Sequence, residues 1–238
     1  MQKDRLNRFI QKYNLGGEVN SVKWVSDGSS LKTSFVSPDK SLLGKVKVDK
    51  FTLDECNIGV YTTDQLKSLI NVLSDNIDIE LKKFGDKVIS LNLKNDDVSV
   101  EYQLSDLSVI PETRSMKRIP DFHTTIKLNK SFVDSFIKGK GALADADTFT
   151  ILQGKSGVEV VIGYSSTNTN RVTIPVETDT SSLDKPLTFN AKLFKDVLVA
   201  NKECTSAVLE VSNDGLAKVN FKVDDFDSEY YIVALQGV

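Results

Sequence analysis

The sequence predicts an α+β protein of antiparallel sheets and four short helices, arranged as two similar halves. Roughly sixteen short segments alternate apolar and polar residues, as half-buried strands do, whereas four segments follow a helical period. Turn sequences separate the strands, and their Gly, Asn and Asp supply the positive φ or the local hydrogen bonds of tight hairpins. These turns are SDGSS (26–30), KNDD (94–97), QGKSG (153–157), STNTN (166–170) and SNDG (212–215).

The four helical segments have apolar residues three and four positions apart, the spacing of one helix face. We expect a Thr/Asp cap at 62–64 to begin the second helix, and Asn129 and Asn190 to begin the third and fourth. Gly139 or Gly141 is expected to end the third. The apolar residues are Leu6, Phe9, Ile10 and Tyr13; Leu66, Leu69, Ile70 and Leu73; Val133, Phe136 and Ile137; and Phe194, Val197 and Leu198.

The two halves of the chain resemble each other. The segment LNRFI (6–10) aligns with VDSFI (133–137) at a constant offset. A stretch with two prolines and a charged middle, residues 105–122, joins the halves and is typical of a crossover between domains. We therefore predict an N-terminal domain over 1–108, an interdomain connector over 109–121 and a C-terminal domain over 122–238.

The composition argues against several classes of protein. Of the 238 residues, 40% are apolar and 26% charged, as in ordinary globular proteins. No apolar run approaches the ~20 residues of a transmembrane helix. The N-terminus lacks the apolar core of a signal peptide, so we expect a cytoplasmic location. Cys56 and Cys204 are too few for a disulfide framework or a cysteine-rich zinc site.

The sequence does not indicate an enzyme, a cofactor or a metal. His123 is the single histidine, and a lone histidine is more often structural than catalytic. No phosphate-binding glycine loop, GxSxG elbow or HExxH motif occurs. The acidic clusters at 145–147 and 224–227 fall in expected turns, where Asp is favoured for local hydrogen bonding. Neither cluster has the spacing of a calcium loop.

Charge is sorted by type of element. The helical windows 2–13, 62–74, 129–140 and 190–202 carry +3, 0, +2 and +2, and because the chain totals −3, the remainder carries −10. A charged stripe on a single surface helix is most often its solvated face. Three net-positive helices in an otherwise acidic chain instead indicate a basic surface that attracts phosphates without reading base sequence.

The first helix illustrates how such a surface would be built. Arg5, Arg8 and Lys12 share a stripe roughly 115° from the apolar one, so we expect the helix to hold these cations outward while it packs on a sheet. Across the four helices, the side chains predicted to contact DNA are Lys3, Arg5, Arg8, Lys12, Lys67, Lys130, Lys138, Lys140, Lys192, Lys195 and Lys202.

Two segments carry a resemblance to a known family. NIGVYTTDQLKSLINVLSDNIDIEL (57–81) and KVDDFDSEYYIVAL (222–235) resemble the sliding clamps of T-even-like bacteriophages, which are DNA polymerase processivity factors related to eukaryotic PCNA. The terminal EYYIVAL is also similar to the tyrosine-rich last strand of PCNA-type clamps. In layout the similarity covers essentially the whole chain.

The resemblance implies a ring-forming DNA-clamp fold: two similar domains, each with two short helices packed on antiparallel sheets. It further implies a head-to-tail homotrimer whose twelve helices enclose double-stranded DNA without sequence specificity, so that no chemistry is required. The implied setting is viral DNA replication in the host cell cytoplasm. The implied partners are the replicative DNA polymerase, a clamp loader and a phage late-transcription factor.

The resemblance also implies a pocket for short apolar partner peptides, beside the connector and against the last strand and a loop of the first domain. Carried over by position, the connector contributes Leu107, Val109, Ile110 and Pro111, with Ile119 further along. The loop at 37–45 nominates Leu42 and Leu43, and the last strand nominates Tyr231, Val233 and Leu235, which share a face by the alternation of a strand. Terminal apolar residues that alternate in this way usually face their own core.

Two other hypotheses fit parts of the sequence. A β-rich phage structural protein, such as a tail or baseplate component, would explain the hairpins but not the basic charge concentrated on helices. A processivity factor that binds DNA as a monomer, without forming a ring, would explain both features. The mass of the assembly in solution distinguishes the ring from the monomer.

Overall fold

The computed structural model describes residues 2–113, 116, 118–167 and 169–235. In these ranges the helices are α1 (Lys3–Asn14), α2 (Thr63–Asn71), α3 (Lys130–Ala142) and α4 (Ala191–Ala200), with short 3-10 turns at Leu15–Gly17 and Leu107–Val109. The strands are β1 (Val22–Ser26), β2 (Ser30–Val36), β3 (Leu42–Asp49), β4 (Cys56–Val60), β5 (Asp78–Phe84), β6 (Lys87–Lys94), β7 (Ser99–Gln103), β8 (Thr124–Asn129), β9 (Thr148–Gly154), β10 (Gly157–Ile162), β11 (Val172–Pro175), β12 (Thr178–Thr180), β13 (Leu187–Asn190), β14 (Ser206–Ser212), β15 (Leu216–Val223) and β16 (Phe226–Val233).

The described chain divides into two compact units. Unit 1 comprises residues 2–38, 44–113 and 224–228, and unit 2 comprises the remaining described residues, including 39–43 and 229–235. Each unit therefore contains a short segment that is distant in sequence from the rest of the unit. The boundaries predicted from the sequence followed the chain in order, and nothing in its local pattern indicated these two segments.

Unit 1 contains antiparallel strands in two groups. The first has the order β3-β2-β1-β4, with β1 paired to β2 and to β4. The second is the three-stranded sheet β5-β6-β7. A single bridge between Gly59 and Ser105 links the edge of β4 to the chain that follows β7. A Cβ on Gly59 would lie 2.6 Å from the Ser105 carbonyl oxygen, so this close approach requires glycine.

Unit 2 repeats the plan with two antiparallel groups. One has the order β12-β8-β14-β15-β16 and the other the order β11-β10-β9-β13. The turns predicted from Gly, Asn and Asp at 153–157 and 212–215 join β9 to β10 and β14 to β15, as expected. Residue 168, inside the predicted turn at 166–170, lies outside the described residues.

Helices and sheets meet in an aromatic core in each unit. In unit 1, Phe9 and Tyr13 of α1 pack edge-on against Trp24 of β1, with ring centroids 5.5 and 6.3 Å apart. In unit 2, Phe136 of α3 contacts Phe149 of β9 and Phe194 of α4, at 5.2 and 5.0 Å. Ring pairs in this geometry add to the stabilisation that burial alone provides.

The predicted helix faces are confirmed, with two residues only half buried. The apolar residues named from periodicity lie in the core except Leu69 and Ile137, which are partly exposed. The capping prediction is confirmed at Asn129 and Asn190, whose side chains accept hydrogen bonds from the backbone N–H groups of Phe132 and Leu193, both at 2.9 Å.

One predicted helix boundary is wrong, and one predicted cap makes no side-chain bond. Helix α2 begins at Thr63, as the Thr/Asp segment at 62–64 predicts, but the Thr62 side chain makes no capping hydrogen bond. Helix α3 continues through Gly139 and Gly141 to Ala142. A Cβ on Gly139 would lie 3.0 Å from the Val172 side chain and 3.1 Å from the Ile162 side chain. Close packing within the helix, rather than the end of the helix, therefore explains the glycine at this position. Among the described residues, no helix is both long and apolar enough to cross a membrane.

Candidate functional site

The two helices of unit 1 lie side by side. The Tyr13 hydroxyl at the end of α1 is 3.2 Å from the Thr63 hydroxyl at the start of α2, and burial raises the pKa of Tyr13. Asn14 links the helices further, because its side-chain oxygen accepts a 2.9 Å hydrogen bond from Lys67. The two helices of unit 1 therefore pack as a pair that is joined by side-chain hydrogen bonds.

The cations of α1 are not held outward as expected. Lys12 is 1% exposed, so the prediction that it projects into solvent is wrong. Arg5 and Arg8 keep 27% of their side-chain surface exposed, and both pair with carboxylates in the segment 224–228 of the same unit. The helical period placed these side chains correctly on one stripe, but the stripe meets a distant part of the chain.

The remaining predicted cations of unit 1 also have local partners. The Lys3 ammonium donates a 2.6 Å hydrogen bond to the Leu73 carbonyl oxygen, which lies beyond the end of α2. Lys67 donates to Asn14 and lies 4.0 Å from Asp64. Both lysines are half buried. These contacts hold the helix pair together, although neither lysine is removed from solvent.

The helix pair of unit 2 presents its cations differently. Lys130 and Lys138 on α3 are exposed, as is Lys202 just after α4, while Lys195 on α4 is half buried. Within the described residues, the ammonium groups of these four lysines have no hydrogen bond and no ion pair. Lys192 pairs with Asp196 at 3.1 Å, and Lys140 donates to the carbonyl oxygens of Leu143 and Ala144.

A groove of about 490 Å³ in unit 1 contains part of the predicted peptide site. It lies between β1, β2 and the chain after β7, and the Thr113 hydroxyl holds one wall by donating a 3.0 Å hydrogen bond to the Ser34 carbonyl oxygen. Leu107, Ile110 and Pro111, which the resemblance assigned to the peptide site, line it. The sequence did not indicate the other lining residues, which are Lys23, Val25, Lys32, Thr33, Ser34, Glu112 and Thr113.

Exposure differs greatly among the predicted peptide-site residues of unit 1. Ile110 is 7% exposed and its side chain packs against Gly59, whereas Val109 is 54% exposed. Leu107 is also exposed, as is Ile119, which belongs to unit 2. The apolar surface that unit 1 offers here comes from the residues next to Ile110 more than from Ile110 itself.

The predicted peptide-site residues of unit 2 divide in the same way. Leu42 is fully buried and lies in β3, so the expected loop is shorter than 37–45 and does not present this side chain. Leu43 is half buried. Tyr231 is 3% exposed, and burial and the neighbouring Glu229 raise its pKa to about 12. Val233 and Leu235 are exposed apolar residues.

The single histidine has a structural contact. His123 Nδ1 accepts a 3.2 Å hydrogen bond from the backbone N–H of Asn213, and its own backbone N–H donates to Val211. Among the described residues, no group of three or more His, Cys, Asp or Glu side chains is placed to hold a metal ion.

Comparison with known proteins gives a match in structure but not in sequence. No family model and no curated protein matches the sequence. A chain of the PCNA2–PCNA3 complex from Sulfolobus tokodaii superposes with a TM-score of 0.73 at 10% identity, covering 98% of this chain and 97% of that one. In the structure of A. fulgidus PCNA bound to the C-terminal region of FEN-1, the TM-score is 0.75 at 15% identity, covering 100% and 98% of the two chains. Proliferating Cellular Nuclear Antigen from Entamoeba histolytica gives 0.74 at 12% identity, covering 98% and 96%.

The chain has the PCNA clamp fold. The coverage from end to end in all three comparisons confirms the predicted fold class, with two similar domains of antiparallel sheets and short helices. Identities of 10–15% explain why the clamp fold is recognisable in the structure while no family model and no curated protein matches the sequence.

Proposed function

We propose that this chain is a sliding clamp, one of three identical subunits that close head to tail into a ring around duplex DNA. The observation that carries the proposal is the full-length match to PCNA chains, combined with a helix pair bearing cations in each unit. A ring that must slide requires contacts with phosphates that do not read base sequence, and lysines on helices provide such contacts.

The ring is tested by native mass measurement of the purified chain. A species of three 26.3-kDa chains at micromolar concentration is the expected result. A single chain at that concentration would contradict the ring and favour a monomeric processivity factor. A ring that neither binds DNA nor stimulates a polymerase would favour the phage structural protein.

The DNA contact is tested by replacing Lys130, Lys138, Lys195 and Lys202 with Gln and measuring affinity for a duplex of about 30 base pairs between about 50 and 200 mM salt. The slope of log K against log salt should fall by about one for each lysine that contacts a phosphate. The matched control replaces four exposed lysines outside the helices, which are Lys40, Lys83, Lys155 and Lys185. An equal loss in both variants would exclude a specific role for the helices.

We also propose that the clamp tethers the replicative DNA polymerase through a short apolar peptide, and that a clamp loader and a phage late-transcription factor use the same site. The support is the groove at Ile110 and Pro111 and the exposed apolar residues Val233 and Leu235. The assignment to a T-even-like phage rests on the resemblance in the segments 57–81 and 222–235.

Exposed residues are the better probes of this site, because alanine at the buried Ile110 or Tyr231 would leave a cavity. Replacing Val109 and Val233 with Ala should weaken binding of the C-terminal peptide of the polymerase encoded in the same genome, with the trimer mass unchanged. Val72→Ala is the control, since Val72 is 60% exposed at the end of α2. Peptide affinity equal to that of the parent would contradict the site.

A further inference from the structure

The turn between β15 and β16 packs against the basic stripe of α1. Asp224 adopts a left-handed conformation, with φ of 53°, which lets two successive carboxylates face the helix. The turn is fixed from a second side, because the backbone N–H of Asp49 donates a 2.9 Å hydrogen bond to the Asp225 carbonyl oxygen. The backbone of the turn therefore has a defined position within unit 1, and this position brings its carboxylates next to α1.

Two guanidinium groups bind this turn. Arg5 donates to one carboxylate oxygen of Asp225 at 2.9 Å and also to the Asp49 carbonyl oxygen. Arg8 donates to Asp224 at 3.1 Å. Lys50 reaches the second oxygen of Asp225 at 2.9 Å, and the hydrogen bonds from Lys50 and Arg5 hold the pKa of Asp225 below its ordinary value.

An aromatic ring completes the cluster. Phe226 is 3% exposed, and the Arg8 guanidinium lies 4.5 Å from its ring centre. Lys12 and Arg5 approach the same ring at 5.5 and 5.9 Å. Cations over an aromatic face are attracted by its quadrupole, so Phe226 stabilises all three cations of the α1 stripe where they lie.

The contacts of these arginines are those that a DNA phosphate would require. A carboxylate oxygen about 3 Å from a guanidinium uses the same donors that would otherwise bind a phosphate oxygen. The carboxylates belong to the same folded unit and are always present at high effective concentration, whereas a phosphate arrives from solution. We propose that Asp224 and Asp225 compete with DNA phosphate for Arg5 and Arg8, so that the turn weakens the grip of α1 on DNA and leaves the phosphate contacts to the lysines of α3 and α4.

The other half of the chain supports this assignment. In the alignment of residues 6–10 with 133–137, the positions of Arg5, Arg8 and Lys12 correspond to Phe132, Ser135 and Gly139. Helix α3 therefore lacks the basic stripe of α1, and it carries its cations elsewhere, at Lys130, Lys138 and Lys140. If these cations contacted DNA as a feature common to both units, α3 would carry them too. Their presence on α1 alone, next to the acidic turn, is expected if they bind that turn instead.

This inference rests on the proposed function, and its test uses the full chain with the same duplex. Replacing Asp224 and Asp225 with Asn should release both arginines, raise affinity at low salt, and steepen the slope of log K against log salt by up to about 1.8 per subunit. The matched control, D96N with D97N, makes the same charge change in the exposed turn between β6 and β7 and should leave the slope unchanged.

A second arm identifies the groups responsible. Arg5→Ala with Arg8→Ala should leave the slope of the otherwise unmodified chain unchanged, but should abolish the gain when combined with D224N and D225N. Asp224→Asn alone is a milder variant if the double variant unfolds, because the Asp224 side chain is 68% exposed. It should give about half the gain.

The proposal is overturned if the D224N/D225N variant and its control give the same slope, or if removing the arginines alone flattens the slope of the parent. Failure of the proposed function would give a different result. If the chain does not hold DNA through its helices, the lysine variant of α3 and α4 would bind the duplex as the parent does, whatever the acidic turn contributes.

Discussion

Asp27 shows at the residue scale how one carboxylate fixes a hairpin. It precedes the turn between β1 and β2 and accepts hydrogen bonds from the backbone N–H groups of Ser29 and Ser30, at 3.1 and 2.7 Å, and from both serine hydroxyls. These hydrogen bonds hold the pKa of Asp27 well below its ordinary 3.8, and the bond from the Ser30 hydroxyl has the largest effect. The ionised form is thus favoured in the folded state.

Asp27→Ala should therefore lower the Tm at neutral pH, and the difference from the parent should shrink as the pH falls below about 4. The sign follows because a carboxyl whose pKa is lowered on folding stabilises the protein above its unfolded pKa and loses that effect as it is protonated in the folded state. Thermal unfolding of both proteins from acidic to neutral pH measures it.

Asn95 provides the control for this prediction. It holds the turn between β6 and β7 in the same manner, accepting from the backbone N–H groups of Asp97 and Val98 at 3.2 and 2.7 Å, but it does not titrate. The Tm difference caused by Asn95→Ala should be independent of pH over this range. A pH-independent effect at Asp27 would show that ionisation of Asp27 does not contribute.

At the scale of elements, the helices of the two units begin differently. In unit 2, Asn129 and Asn190 cap α3 and α4 with side-chain hydrogen bonds to the third residue beyond. In unit 1, neither Gln2 nor Thr62 makes a side-chain cap. The defined cap of helix α1 is at its other end. Leu15 has a left-handed backbone, with φ of 48°, and its N–H donates a hydrogen bond to the Gln11 carbonyl oxygen.

Asn190→Ala should destabilise the chain by about 1 kcal/mol, since it leaves the N–H of Leu193 without its partner. Asn190→Asp should retain most of the stability because its carboxylate can accept the same bond. Thr62→Ala should change the free energy of unfolding by less than about 0.5 kcal/mol. Chemical denaturation measures all three, and equal losses at Asn190 and Thr62 would contradict the assignment of the cap.

At the scale of the whole molecule, unit 1 depends on a segment from near the end of the chain. Residues 224–228 belong to this unit, and the ring of Phe226 packs over Lys12 of α1, although more than 200 residues separate the two in sequence. The domain boundaries predicted from the sequence would leave this segment out of a fragment ending at residue 121.

A fragment of residues 1–121 should therefore have faster amide hydrogen exchange in α1 than the full chain, because Arg5, Arg8 and Lys12 lose their acidic and aromatic partners. Phe226→Ala in the full chain should reproduce much of the effect, and Phe84→Ala, at an exposed site on β5, should not. Equal protection of α1 in the fragment and the full chain would show that the segment does not stabilise the helix.

Much of the fold could be predicted because its signals are local. The helical faces of α1 to α4 and the caps at Asn129 and Asn190 depend on residues spaced three or four positions apart, and the structure confirms them. The end of α3 could not be predicted in this way, because Gly139 has a role set by Val172 and Ile162. A glycine has the same local signature in either role.

The amino-acid sequence alone determined the α+β class, the strand and helix pattern, and the concentration of positive charge on helices, since periodicity and composition express these directly. Only the tertiary structure decided which cations are available to a ligand. Lys12 is buried and Arg5 and Arg8 are bound to Asp225 and Asp224, while Lys130 and Lys138 on α3 are exposed. The physical reason is that ion pairing depends on distance in space, and a pair formed across more than 200 residues leaves no periodic mark on the sequence around either partner.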